Sequence, residues 1–169
     1  NVPGAGAGWS PEQTLEACAE HSIGGIVFWR PEIEGRAAEI GRYARDVGVK
    51  VVGLCRAPFL TGPLRLQTPA TIRDDFRRAI DDTAALGGDV LTIVTGGVEP
   101  GTRGVTQSLS LVQERVASVI DHARACGVRL ALEPLHPMYG GDRSCLTTLR
   151  DALDLCDALD SEVVGVAVD

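Results

Sequence analysis

Two acids close two short apolar runs, and their placement suits chemistry on a shared ligand. The runs are Leu130-Ala131-Leu132-Glu133 and Val164-Gly165-Val166-Ala167-Val168-Asp169. Side chains of an extended strand alternate between its faces. Ala131 and Glu133 therefore share a face opposite Leu130 and Leu132, and Gly165, Ala167 and Asp169 share one opposite the three valines. Each strand puts its acid on the face lined by small residues, at its C-terminal end. One strand–helix unit separates the two runs, so the strands are expected to be neighbours, about 4.8 Å apart. Two carboxylates at that spacing repel, and one takes up a proton unless a cation lies between them. A divalent cation resolves the conflict, because hard cations take carboxylate oxygens. Pro134 holds Glu133 extended and ends the strand. A plainer reading stands beside this one, in which Glu133 pairs with Arg143 and Asp169 is a chain-end or helix-capping residue.

The elements that must carry these acids alternate along the whole chain. Ser10-Pro11-Glu12-Gln13 has the N-cap hydroxyl, first-turn proline and N3 amide of a helix start, and that helix runs to about His21-Ser22. Further helices are expected over 34–47 (Ala37, Ile40, Ala44 and Val47 inward), 70–86 (Phe76, Ile80 and Ala84 inward), 108–126 and about 145–159. Gly48, Gly87-Gly88 and Gly127 stop three of them. Apolar, β-branched runs begin near residues 24, 49, 89, 128 and 163 and read as strands buried on both faces. Helix–strand alternation of this kind specifies a parallel sheet with helices outside it. The loops after strands, over 56–69, 95–106 and 134–144, are long and rich in Gly, Pro and charge, whereas the returns from helix to strand are short. That asymmetry favours a (β/α)8 TIM barrel, whose strand-to-helix loops build the active site, over an open dinucleotide-binding sheet. The glycines of Asn1–Gly8 lack the GxGxxG spacing. A full barrel takes about 250 residues, so residues 1–169 are expected to form one partial barrel domain with about five strands and five helices, the last strands lying beyond it. A parallel sheet cut there exposes an apolar edge, and a chain of only this length is expected to be poorly stable or prone to aggregate.

Composition narrows the partners. Lys plus Arg is 16 against 23 Asp plus Glu, a net charge of −7, which argues against a nucleic-acid-binding surface. The absence of any run of 18 apolar residues argues against a membrane-spanning helix. Residues 1–8 lack the basic and apolar regions of a signal peptide. The five cysteines form no CxxC pair and read as reduced, mostly buried thiols of a cytoplasmic protein.

Several segments together resemble the xylose-isomerase-like sugar phosphate isomerase/epimerase family. They are Leu132-Glu133-Pro134-Leu135-His136-Pro137-Met138-Tyr139, Asp142-Arg143, Thr148-Leu149 through Asp157, and Val164 to Asp169, with generic matches at Leu15 to Cys18, Gly25-Ile26, Trp29-Arg30 and Val52 to Arg56. The resemblance implies a divalent cation (Mn, Mg, Co or Zn) at the barrel's C-terminal mouth, held by Glu, Asp, His and Glu from four successive strands. Glu133 matches the first ligand and Asp169 the second; the other two would lie on later strands. It implies proton abstraction beside a carbonyl of a small sugar, through an enediolate, with Glu133 also the acid/base group. His136, Arg143, Arg56 and Trp29 are the substrate-contact candidates, Trp29 as an apolar wall against a sugar; the plainer alternatives are a solvent-facing loop histidine for His136 and ion pairs for the two arginines. Trp29 stands where many relatives carry an acid. His21 and His122 fall on helices and read as structural. A related lyase acting on an inositol-derived ketone would use the same metal. An endonuclease-IV-like phosphodiesterase would want more His ligands than this chain's three and a basic face. A non-catalytic truncated barrel and self-association into a homo-oligomer stay open.

Overall fold

The computed structural model describes residues 8–62, 67–102 and 104–169. Gly4 and Gly6 of the N-terminal glycine run, Pro63 of the loop over 56–69, and Arg103 lie outside these residues. Five strands, β1 (Gly25–Trp29), β2 (Lys50–Cys55), β3 (Val90–Ile93), β4 (Arg129–Leu132) and β5 (Val164–Val166), form one parallel sheet in the order β1-β2-β3-β4-β5. Helices α1 (Pro11–Glu20), α2 (Arg30–Ile33), α3 (Ala37–Asp46), α4 (Pro69–Leu86), α5 (Val105–Ala117), α6 (Ile120–Cys126) and α7 (Leu149–Leu159) accompany it. Strand order equal to chain order, with a helical crossover at every step, is the winding of a (β/α)8 barrel, here five strands of it.

The two faces of the sheet differ. Ile26, Phe28, Leu54, Leu91, Ile93, Leu130 and Leu132 point to the helices and are buried, together with Phe76 and Ile80 of α4 and Val112 and Val116 of α5. Burying each such side chain stabilises the fold by about 1.5–3 kcal/mol before the entropy of ordering it. On the other face Trp29, Cys55, Thr92, Ala131 and Gly165 stand level with one another across the five strands. Of these Cys55 is buried and the rest are half-buried. In a barrel this is the inner face.

Local chemistry explains the boundaries. The Ser10 capping box forms as expected, the Gln13 amide N–H donating to Ser10 Oγ at 3.2 Å and the Ser10 N–H to Gln13 Oε1 at 2.9 Å. Gly48, Gly87 and Gly127 adopt positive φ after α3, α4 and α6. Five expectations need correction. The helix expected over 34–47 starts at Ala37, and a separate turn, α2, opens at Arg30-Pro31 and ends before Gly35, which has φ +72°. The helix expected over 108–126 is two, α5 and α6, making seven helices among the described residues rather than five. At the break the Ser118 hydroxyl donates to the Arg115 carbonyl at 2.7 Å, competing with the helix ladder. The last helix starts at Leu149, not 145, because Thr148 is its N-cap and accepts from the Asp151 N–H at 3.1 Å. On α4, Thr83 rather than Ala84 faces inward, with its hydroxyl satisfied by the Ala79 carbonyl at 2.8 Å. β5 also ends earlier than expected, and Val168 beyond it is 76 % exposed.

Candidate active site at the carboxyl rim of the sheet

Three loops that leave β2, β3 and β4 are tied together above the strand ends. Gly96 bridges to Thr61 on one side and to Ser144 on the other. Its N–H donates to the Arg143 carbonyl at 3.0 Å, and its own carbonyl accepts from the Cys145 N–H at 2.6 Å and the Thr61 hydroxyl at 3.1 Å. Gly96 has φ +94°, and a Cβ there would stand 2.1 Å from the Thr61 carbonyl oxygen. A Cβ on Gly97 would meet the Gly141 carbonyl oxygen at 2.4 Å. The pair therefore serves loop-to-loop contact. Thr61, Thr95, Ser144 and Cys145 are buried between the loops, with Thr95 Oγ1 and Ser144 Oγ 3.1 Å apart. This polar network fixes the rim on which the candidate residues sit.

Glu133 directly follows β4 and keeps the ladder, its N–H donating to the Ile93 carbonyl at 3.0 Å. It is 8 % exposed. Leu132 pairs with Val166 and the Ala167 N–H donates to the Leu132 carbonyl at 2.9 Å, so Glu133 stands level with Ala167; Asp169 lies two residues further along the chain, past the end of β5, and is exposed. The two acids are therefore not level as expected: Asp169 stands two residues past the position opposite Glu133, near enough for its charge to act on the Glu133 carboxyl. Burial, reinforced by the Asp169 charge, raises the Glu133 carboxyl above its ordinary range. The same Glu133 charge, after burial itself, pushes the Cys55 thiol up to about 11. Among the described residues Glu133 has no ion-pair partner, and the alternative pairing with Arg143 does not form. The two carboxylates offer oxygen donors only, Glu133 buried and Asp169 exposed, and neither has an ion-pair partner among the described residues. Such donors fit a divalent metal ion.

The other candidates are spread around the rim. Arg56 follows β2 and lies over the Phe59 ring, 3.9 Å from its centroid. Burial, and then the Arg143 and Arg30 charges, lower its pKa against the opposing pull of Cys55. It lines a cleft of about 360 Å³ with Arg30, Glu34, Phe59, Gln67 and Asp75. Arg143 is exposed, with its guanidinium 5.4 Å from the Tyr139 ring centroid. His136 is exposed and caps the short 3-10 turn Pro137–Tyr139, its Nδ1 accepting from the Met138 N–H at 3.2 Å. Trp29 ends β1 level with Cys55. Electrostatics couple Glu133 with Asp169 and Cys55, and Arg56 with Arg143 and Arg30, whereas Arg56 alone of the six sequence candidates lines the cleft. Arg30 was missed by sequence reasoning. It bridges Asp75 at 2.9 Å and Asp82 at 3.3 Å, forty-five and fifty-two positions away, and only α2 packed beside α4 brings them together.

A parallel strand–helix winding with strand order equal to chain order defines part of a (β/α)8 barrel. The chain belongs to the xylose isomerase-like TIM barrel family, whose model matches residues 15–169. It is similar to the protein SMc04130 of Sinorhizobium meliloti 1021 (41 % identity, TM-score 0.85), covering 95 % of this chain and 58 % of that one. It also shares the fold of a D-psicose 3-epimerase solved in the presence of D-fructose (16 % identity, TM-score 0.74, 94 % and 57 % covered). The IolI protein, solved with a zinc atom, is similar to the same extent (17 %, TM-score 0.75, 94 % and 57 %). The chain spans under three-fifths of the length of each of these. No curated protein matches it in sequence. None of the helices among the described residues is long and apolar enough to cross a membrane.

Proposed function

We propose that this chain is part of one barrel domain of a metal-dependent isomerase or epimerase acting on a small sugar or sugar phosphate. The observation that carries the reading is Glu133 at the end of β4: a buried acid whose carboxyl feels the Asp169 charge and has no ion-pair partner among the described residues. Glu133 and Asp169 would hold a divalent ion (Mn, Mg, Co or Zn). When bound, that ion supplies charge stabilisation at the substrate oxygens. Glu133 takes the proton from the carbon beside the carbonyl, a role suited to a carboxylate held at the barrel mouth. Arg56 and Arg143 bring positive charge to the substrate's oxygens, His136 offers a hydrogen bond from the mouth loop, and Trp29 gives a flat wall for a sugar ring. The partner is a small molecule; a net charge of −7 disfavours nucleic acid. The family likeness and the epimerase and zinc-bound relatives support this reading. Its test is exchange of substrate hydrogen with solvent, screened over ketoses and hydroxy-aldehydes with Mn, Mg and Co on the full-length protein. Exchange should be present in the wild type and lost in Glu133→Gln; unchanged exchange in that variant removes Glu133 from the chemistry.

A further inference from the structure

Far from the rim, on the outer layer of helices, three potential ligand atoms converge. His122 and Cys126 stand at i and i+4 on α6, so they share one face. Asp81 faces them from α4. Their atoms lie within 4.8 Å of one another. His122 Nε2 is 2.7 Å from Asp81 Oδ1, Cys126 Sγ is 3.7 Å from that same oxygen, and Cys126 Sγ is 3.8 Å from His122 Nε2. We propose that Asp81, His122 and Cys126 form a second metal site, for a zinc-type cation, that staples α6 to α4.

The triangle has the size of a tetrahedral zinc face. With Zn–S near 2.3 Å and Zn–N and Zn–O near 2.0–2.2 Å, tetrahedral angles put S–N and S–O edges at about 3.6 Å and the N–O edge at about 3.4 Å. Both sulfur edges already agree to within about 0.2 Å of those lengths. The N–O edge is shorter because a proton, not a metal, now joins the two atoms. Asp81 has an exposed side chain and is free to draw back by the remaining fraction of an ångström. One thiolate, one imidazole and one carboxylate, with water in the fourth position, suit borderline-soft zinc better than hard cations such as Mg or Ca.

The same atoms do not make a nucleophile–base–acid relay. Such a relay places the acid and the nucleophile on opposite nitrogens of the imidazole. Here both meet Nε2, and Nδ1 faces Arg77 Nη2 at 3.2 Å. Metal binding moves the imidazole proton from Nε2 to Nδ1 and releases the Cys126 thiol proton to solvent. Arg77 is exposed and turns away as Nδ1 becomes a donor.

The test uses cobalt(II) as a zinc probe on the metal-free, full-length protein. Expected is a thiolate-to-cobalt charge-transfer band that saturates at one equivalent and is bleached by added zinc. The band should vanish in Cys126→Ser. The affinity read from it should fall at least about tenfold in Asp81→Asn, a surface change that leaves the fold intact. It should persist in the Glu133→Gln, Asp169→Asn double variant, so this site stands or falls apart from the rim. No band in the wild type, a band unchanged in Cys126→Ser, or an affinity unchanged in Asp81→Asn overturns the proposal.

Discussion

Asp75 and Glu133 are both substantially withdrawn from water, yet the protein treats them in opposite ways. Burial pushes up both carboxyls. At Asp75 the hydrogen bond and charge of Arg30, 2.9 Å away, and then Arg78 at 3.2 Å, outweigh burial and hold the pKa below its ordinary value. At Glu133 no arginine among the described residues answers; a second acid, Asp169, adds to the burial and raises the pKa further. An acid that only builds the fold is given its cation by the fold. An acid left buried beside another acid lowers stability, and the cost is explained if something outside the chain completes it.

The contrast breaks most visibly in activity. Glu133→Gln should lower solvent exchange by about 10²–10⁴-fold, the usual contribution of a positioned acid/base group, while Asp75→Asn should leave it within a few-fold. Isotope exchange followed by NMR reads both, and comparable losses in the two variants would erase the distinction. Next in size, Asp169→Asn should weaken manganese binding by at least about tenfold, or 1.4 kcal/mol, measured by calorimetry on the full-length protein. Third, Arg30→Met should destabilise by about 1–2 kcal/mol, less than for a fully buried pair because Arg30, Asp75 and Asp82 keep partial exposure. The sign with pH follows from Asp75. Its pKa is depressed in the folded state, so its contribution is present above the ordinary value of 3.8 and disappears as pH falls through the lower, folded value. Arg30→Met should therefore flatten the acid limb of the stability curve, read from urea titrations at several pH values.

How much of this was legible in the sequence depends on the range of the interaction. The parallel winding was legible because each helix and strand carries its own period, caps and stop glycines: Ser10, Gly48 and Gly127 all do what their types suggest. That Glu133 and Asp169 follow the last two strands was legible because each acid closes an apolar run. Their offset was not, since register depends on which residue meets Leu132 across the gap, and that is set by packing. The α5–α6 break was hidden because neither Gly nor Pro marks it; a serine hydroxyl bonding back to Arg115 does. The Arg30–Asp75 bridge joins residues 45 positions apart, and nothing local announces it. At α6 half a signal was present: His122 and Cys126 at helical spacing could have been noticed, but Asp81 could not.

The smallest effect is the most discriminating, because it inverts. In a chelating buffer, Glu133→Gln should raise the melting temperature at neutral pH. The wild-type carboxyl has a folded pKa above the ordinary 4.5. The folded state therefore binds that proton more tightly than the unfolded chain, and the stability it contributes is complete below about 4.5 and lost as pH rises through the folded value. Glutamine never ionises, so it escapes the loss, and the two proteins should converge at about pH 4, where the wild-type acid is also neutral. Manganese then reverses the order at neutral pH. An ion bound only by the folded state stabilises it in proportion to the logarithm of its concentration over Kd, and the glutamine variant has given up a charged ligand. Scanning calorimetry with chelator and then with excess manganese reads both halves. A glutamine variant less stable than wild type in chelator would mean that Glu133 already has a satisfying partner within the fold, and the contrast with Asp75 would disappear.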